Sequence, residues 1–180
     1  PNGEIRPETS NGYEIGLRGR SNNGSSFQVS GFYNTYKDFI ETVTLAAPPP
    51  PALTQFQYKN ISNATIWGYE FKGELKLLPE VALFGSLAYA HGTNEEFNTP
   101  IDSVDPWTGV GGIRYRGSMG WGGEVRAKYV AEKTRVSAPT IFQVPAHTTV
   151  DALLSYEVVP TFTFNAGVFN IFDASYFNPT

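Results

Sequence analysis

The chain has 180 residues, 41% of them hydrophobic and 14% aromatic, with no cysteine and a formal net charge of −4. Without cysteine there is neither a disulfide framework nor a thiolate metal site, and the acidic balance offers nucleic acid nothing to bind. No run approaches the roughly 18 consecutive apolar residues of a membrane helix, whereas a β-barrel sets only every second residue against lipid and so keeps the slightly negative mean hydropathy found here.

Two-residue alternation recurs eight times along the chain. Tyr13, Ile15, Leu17 and Gly19 oppose Glu14, Gly16, Arg18 and Arg20, and Ser21-Asn22-Asn23-Gly24 then turns the chain. Phe27, Val29, Gly31 and Tyr33 alternate with Gln28, Ser30, Phe32 and Asn34, in a strand predicted to run on through Tyr36 towards Glu41. A long connection follows, with Pro48 to Pro51 expected in an extended polyproline conformation. The third strand is the most regular. Trp67, Tyr69, Phe71, Gly73, Leu75 and Leu77 share one face, and Gly68, Glu70, Lys72, Glu74 and Lys76 share the other. After Leu78-Pro79-Glu80 the pattern resumes, with Leu83, Gly85, Leu87 and Tyr89 opposite Ala82, Ser86, Ala88 and Ala90. A polar loop holding Glu95, Glu96, Asp102 and Asp105 leads to Gly111, Ile113 and Tyr115, which alternate with Gly112, Arg114 and Arg116. Gly117 to Gly120 is a tight turn. The sixth strand sets Trp121, Val125, Ala127 and Tyr129 against Glu124, Arg126, Lys128 and Glu132. The last two set Val150, Ala152, Leu154 and Tyr156 against Asp151, Leu153 and Ser155, and Phe162, Phe164, Ala166 and Val168 against Thr163, Asn165 and Gly167.

Tight turns after the first, third, fifth and seventh strands alternate with long loops after the second, fourth and sixth, as in up-and-down outer-membrane barrels with short periplasmic turns and long outer loops. Tyr115, Trp121, Tyr156 and Phe162 lie near the short-turn ends and are expected to form the inner interfacial girdle. The predicted fold is all-β, a transmembrane antiparallel up-and-down β-barrel in the outer membrane. A soluble sandwich that buries the apolar face and exposes the charged one is the competing arrangement, although strands of this length with so one-sided an aromatic load are unusual there.

Residues Pro1 to Arg20, PNGEIRPETSNGYEIGLRGR, resemble the Asn-Pro-x-Leu-x-Pro-Glu segment and following strand of TonB-dependent outer-membrane receptors, through Asn2, Ile5, Pro7, Glu8 and Thr9. Gly31–Glu41, Asn60–Glu70, Pro100–Arg116 and Ala166–Phe177, the last with Asn170, Phe172 and Asp173, resemble successive pieces of the haem and haemoglobin receptor branch. Two departures stand out: Pro1 precedes Asn2 where the family has Asn-Pro, and the Pro48 insert lies outside the family pattern. Such a receptor is similar to a plugged barrel of about 22 strands. The resemblance therefore implies that residues 1–180 are a C-terminal part of the barrel, with the plug, the TonB-contacting segment and the earlier strands elsewhere. It further implies capture of haem, free or taken from haemoglobin or another carrier, by the long loops, and import powered through TonB, with no intrinsic cofactor and no catalysis. A ferric-siderophore receptor is the alternative within transport. A self-contained eight-stranded barrel, acting structurally, as an adhesin or on lipids, is the alternative outside it.

His91 and His147, the only histidines, lie at the long-loop ends of their strands, and histidine is a haem-iron ligand. They are the candidate ligand-contacting residues, although the resemblance places the expected haem-binding histidine upstream of Pro1. The loop acids lack the regular spacing of a calcium loop. Asn23, Asn60 and Asn63 begin sequons of a kind that arises readily by chance in an asparagine-rich chain. His147 near Asp151 is the one pairing a lipid-cleaving barrel could use.

Overall fold

A computed structural model describes residues 3–46 and 55–177. They form one antiparallel sheet, β1 (Thr9–Arg20), β2 (Ser26–Ala46), β3 (Gln55–Lys76), β4 (Val81–Asn94), β5 (Thr99–Pro100), β6 (Thr108–Arg116), β7 (Trp121–Val130), β8 (His147–Val159) and β9 (Phe162–Val168), with no helix among the described residues. Strands follow one another in sequence order from β1 to β9, except that the two-residue β5 pairs β4 off the main path. All eight predicted strands are present. Among the described residues β1 and β9 do not pair, so the sheet is an open arc of barrel wall and not a closed eight-stranded barrel.

Cross-strand register converts the sequence alternation into two continuous faces. Tyr13 pairs Tyr33, Tyr33 pairs Trp67 and Trp67 pairs His91. Lower on the same face Leu17, Val29, Phe71 and Leu87 form another row. Because the side-chain period is two, a slip of one residue anywhere would carry charges onto this face. The apolar face is bare: Ile15 is 81% exposed and Val125 53%. The buried hydrophobics of the described residues are Ala64, Ala82, Ile101, Val130, Ala131 and Val144, none of them an aromatic. A sheet with that little core is held by its ladder hydrogen bonds and by an apolar solvent on one side, which disfavours the soluble sandwich.

Two aromatic belts edge the apolar face. At the short-turn end the Trp121 and Tyr156 rings lie 4.5 Å apart, with Tyr115 and Phe162 also exposed there. The belt at the other end joins Trp67, Tyr69 and Tyr89 on β3 and β4 and pairs Trp107 with Tyr129 at 4.9 Å. Along β7, Trp121 and Tyr129 are roughly 27 Å apart at the strand rise. Tilted by 35–45°, that spans about 20 Å of depth, close to the ~25 Å apolar band of outer-membrane barrels.

The structure extends the sequence reading at the β2–β3 hairpin. Pairing continues past Glu41 to Thr44 with Phe56 and, after a register shift, to Ala46 with Gln55, where a long connection was expected. Pro48–Pro51 and Asn2 lie outside the described residues. The extension stands above the upper belt, where no lipid demands an apolar face, so its strands carry no alternation to read. At Asp38, whose φ is 53°, the backbone turns left-handed. Two tethers hold it: Asp38 bridges Arg6 at 2.5 Å, and the Glu8 carboxylate accepts the Ile40 N–H at 3.0 Å.

In the full-length protein, Phe71→Arg is expected to block membrane assembly, since a lipid-facing arginine at mid-strand costs about 2–4 kcal/mol. Lys72→Gln, one residue on but on the opposite face, is expected to assemble normally. Heat-modifiable migration on a gel reads both, and equal tolerance would return the sheet to the soluble reading.

Candidate functional site

The charged face carries a chain of ion pairs running across five strands. Lys76 Nζ lies 2.9 Å from Glu74, Arg114 Nη1 donates to Glu74 Oε2 at 2.8 Å and Arg114 Nε to Glu124 Oε2 at 2.8 Å. Arg126 is 4.0 Å from Glu124 and donates through Nε to Asp151 Oδ2 at 2.9 Å. To join β3 to β6, Arg114 must cross β4, and β4 offers Ala82, 2% exposed, beneath the bridge. The guanidinium also lies 4.6 Å above the Phe84 ring. Phe84 in turn needs Gly112, where a Cβ would come within 2.6 Å of the ring. Alanine and glycine thus sit where the ladder requires room.

Asp151 links the ladder to the Asn170 turn. Its Oδ1 accepts the Asn170 N–H at 2.9 Å. The Asn170 side chain then closes the turn by donating to Ala174 O and accepting from Ala174 N, both at 3.0 Å. Asn170 and Asp173 both have positive φ, which asparagine and aspartate tolerate best among residues with a side chain. The Asn-x-Phe-Asp segment is in this way a chain-turning device, with Phe172 left 75% exposed.

At the long-loop end the β4–β6 and β7–β8 connections fold onto each other. Ile101, Val130, Ala131 and Val144 are buried between them, and Gly92 admits Val104 and Ile101 where a side chain would collide. Lys133, 6% exposed, donates to Asp102 O at 2.5 Å, and Asp102 accepts from the Ser137 N–H at 2.8 Å and from its hydroxyl. Ser103 donates to Glu41 Oε2 at 3.1 Å and so ties this clasp to β2. Burial pushes the Glu41 carboxyl above its ordinary value, Asp102 adds to the rise, and the Ser103 hydroxyl opposes it.

The two histidines occupy opposite faces. His91 shares the aromatic face, stacked on Trp67 at 5.1 Å, and Arg135 Nη1 lies 2.7 Å from its Nδ1. A guanidinium can only donate, so Nδ1 accepts and the ring proton sits on Nε2, the tautomer that does not offer Nε2 to a metal. His147 lies on the charged face, paired with Val130 and stacked on Tyr176 at 4.4 Å. Among the described residues its Nδ1 is buried without a partner, whereas metal-bound histidines commonly donate their second ring N–H to an acceptor. Asp151 is engaged by Arg126 and Asn170, and the structure does not join it to His147 as a hydrolytic pair would require. Of the motif residues, Glu8 fixes the start of β1, Thr9 opens it opposite Lys37, and Pro7 precedes it. Arg135, Lys133, Ser137 and Tyr176 were not singled out by the sequence, because their partners lie on other loops and no spacing announces them.

Arg114→Met is expected to lower stability by about 1–3 kcal/mol, because it removes the cation between Glu74 and Glu124 and leaves them only Lys76 and the looser Arg126 contact, and a Glu74→Gln background is expected to recover part of that loss. Urea titration of the full-length protein in vesicles measures both. For Glu41 the folded value lies above the unfolded one, so the folded clasp binds the extra proton and is tightest at low pH, loosening as pH rises from about 4.5 through the raised value. Hydrogen exchange at Ser103 is expected to slow as pH falls through that window, once corrected for intrinsic rates, and Glu41→Gln to abolish the dependence.

The sequence matches the profile of the family described as TonB dependent receptor-like, beta-barrel over residues 1–171. It is 29% identical over 157 residues to the hemoglobin-haptoglobin utilization protein B of Neisseria meningitidis serogroup C, covering 73% of this chain and 19% of that protein. The copper transporter OprC superposes with a TM-score of 0.85 at 22% identity, over 97% of this chain and 28% of OprC. A ferric enterobactin receptor, PfeA of Pseudomonas aeruginosa, superposes with a TM-score of 0.71 at 20% identity, over 93% of this chain and 26% of the receptor. The two structural likenesses speak to the fold alone, and this chain spans less than a third of the length of each relative. Two aromatic belts around a bare apolar face, a charged opposite face and the match over residues 1–171 lead to one conclusion: the chain belongs to the TonB dependent receptor-like β-barrel family and forms part of the wall of an outer-membrane barrel.

Proposed function

We propose that this wall belongs to a receptor that takes haem, free or carried by a haem protein, across the outer membrane with energy supplied through TonB. The observation that carries the transport reading is the inner face, where charges are paired into a ladder and left open to a wide polar lumen instead of being buried in a filled core. The haem assignment draws its support from the meningococcal relative, whose name couples it to hemoglobin-haptoglobin. Loops at the long-loop end capture the cargo, and a lumen-filling part of the receptor moves aside when TonB pulls. His147, on the lumen side and stacked on Tyr176, is the residue of the two that this reading sets beside the passing cargo. Iron ligation through Nε2 is disfavoured for His91, whose Nδ1 faces the Arg135 guanidinium.

A ferric siderophore is the competing cargo within transport. Titrating the purified full-length receptor with haemin separates the two. A saturable shift of the Soret band is the expected result. No shift, together with saturable quenching of tryptophan fluorescence by a ferric catecholate, would give the receptor to siderophores.

A further inference from the structure

Two sets of inner-face charges behave differently. The ladder is balanced, three acids (Glu74, Glu124, Asp151) against three bases (Lys76, Arg114, Arg126). Beside it, on β1 to β4, where Glu14 and Glu70 stand farther up the same face, is a row that forms no ion pair among the described residues. Arg18 pairs across to Gln28, Gln28 to Lys72 and Lys72 to Ser86, with Arg20 one step nearer the short turn. Among the described residues Arg18, Arg20 and Lys72 make no ion pair, and Glu74, which lines the same hollow, is already engaged by Lys76 and Arg114. Glu70, the next residue up β3 on this face, makes none with Lys72 either. The row lines a hollow in the wall of about 720 Å³. Arg18 and Lys72 stand two strands apart, hence about 10 Å along the wall.

Cations held side by side repel one another, and an anion arriving there meets Glu74 only as a carboxylate already held by Lys76 and Arg114. We propose that Arg18, Arg20 and Lys72, with Gln28 and Ser86 between them, form a station on the inner wall for the carboxylates of the cargo in transit. The proposal rests on the haem reading, since haem carries two carboxylates on one edge. The chemistry suits passage more than storage. The carboxylates meet charged and neutral donors spaced around the wall from strand to strand, so neither settles in a single deep well, and Arg20 offers the next contact towards the short turn. Cargo capture belongs to the loops at the other end of the strands, so the station acts on import and not on capture.

The test uses the full-length receptor and the double variant Arg18→Gln, Lys72→Gln, with heat-modifiable migration confirming assembly. Two probes are compared, haemin and haemin dimethyl ester, whose carboxylates carry no charge. Haemin capture, read from the Soret titration, is expected to be unchanged, while haemin import into cells falls by about tenfold or more, both charge-assisted contacts being lost. Import of the ester is expected to be slow in the wild type and no slower in the variant. Arg18→Lys with Lys72→Arg, which keeps both charges, is expected to restore haemin import. Wild-type import of haemin by the double variant overturns the proposal. An equal loss of both probes, with new permeability to a large antibiotic, also overturns it and gives the row to an acidic lumen-filling segment of the receptor. If the wild type shows no saturable haemin spectrum, it is the haem reading that fails, and the station falls with it.

Discussion

A strand that crosses lipid has no water to satisfy its N–H and C=O groups, so every one of them must be paired by a neighbouring strand. Here that requirement fixes the register, and the register fixes nearly everything else. Twelve consecutive pairs join β1 to β2, and thirteen join β3 to β4. Once they are set, the period of two sends Phe71 one way and Lys72 the other, and the same division passes to each following strand. The aromatic belts, the charge ladder and the cation row are consequences of one alignment held across the sheet.

Small residues let the charged face work as a unit. Arg114 can reach Glu74 only because Ala82 lies flat beneath it, and Phe84 can stand between them only because Gly112 leaves it space. On a strand considered alone these residues look like weak points, since glycine and alanine pack poorly in sheets. Across strands they are the clearances through which side chains on β3, β6, β7 and β8 make contact. At the long-loop end the logic changes. There the chain stands in water, the β4–β6 and β7–β8 connections bury Ile101, Val130, Ala131 and Val144, and buried Lys133 finds its partner in the Asp102 carbonyl.

What the sequence made legible follows the same boundary. All eight strands, both faces and the short-turn girdle were readable because lipid on one side and a polar lumen on the other enforce alternation, as in Trp67 to Leu77. The signal stops where lipid stops. Past Glu41 neither face has to be apolar, so the further pairing of β2 with β3 up to Ala46 left no pattern, and the two-residue β5 was too short to leave one. The histidines show a different limit. Their position at the strand ends was readable, but the face each occupies and the donor that fixes the His91 tautomer depend on Arg135, 44 residues away on another loop. Likewise, the Asn170 and Asp173 motif could be recognised from its spelling, whereas its contact with Asp151 needed the β8–β9 register.

The central claim is that one face of this sheet meets lipid and the other meets an aqueous lumen. The natural absence of cysteine makes it directly measurable. Single cysteines placed in turn from Trp67 to Leu77 of the full-length receptor in bilayers would be probed with a membrane-impermeant thiol reagent and with a lipid-phase quencher acting on an attached fluorophore. Labelling should alternate, with Glu70, Lys72 and Glu74 positions open to the aqueous reagent and Tyr69, Phe71 and Leu75 positions reached only from lipid. Equal labelling at neighbouring positions, or the reverse alternation, would contradict the placement of this wall in the membrane.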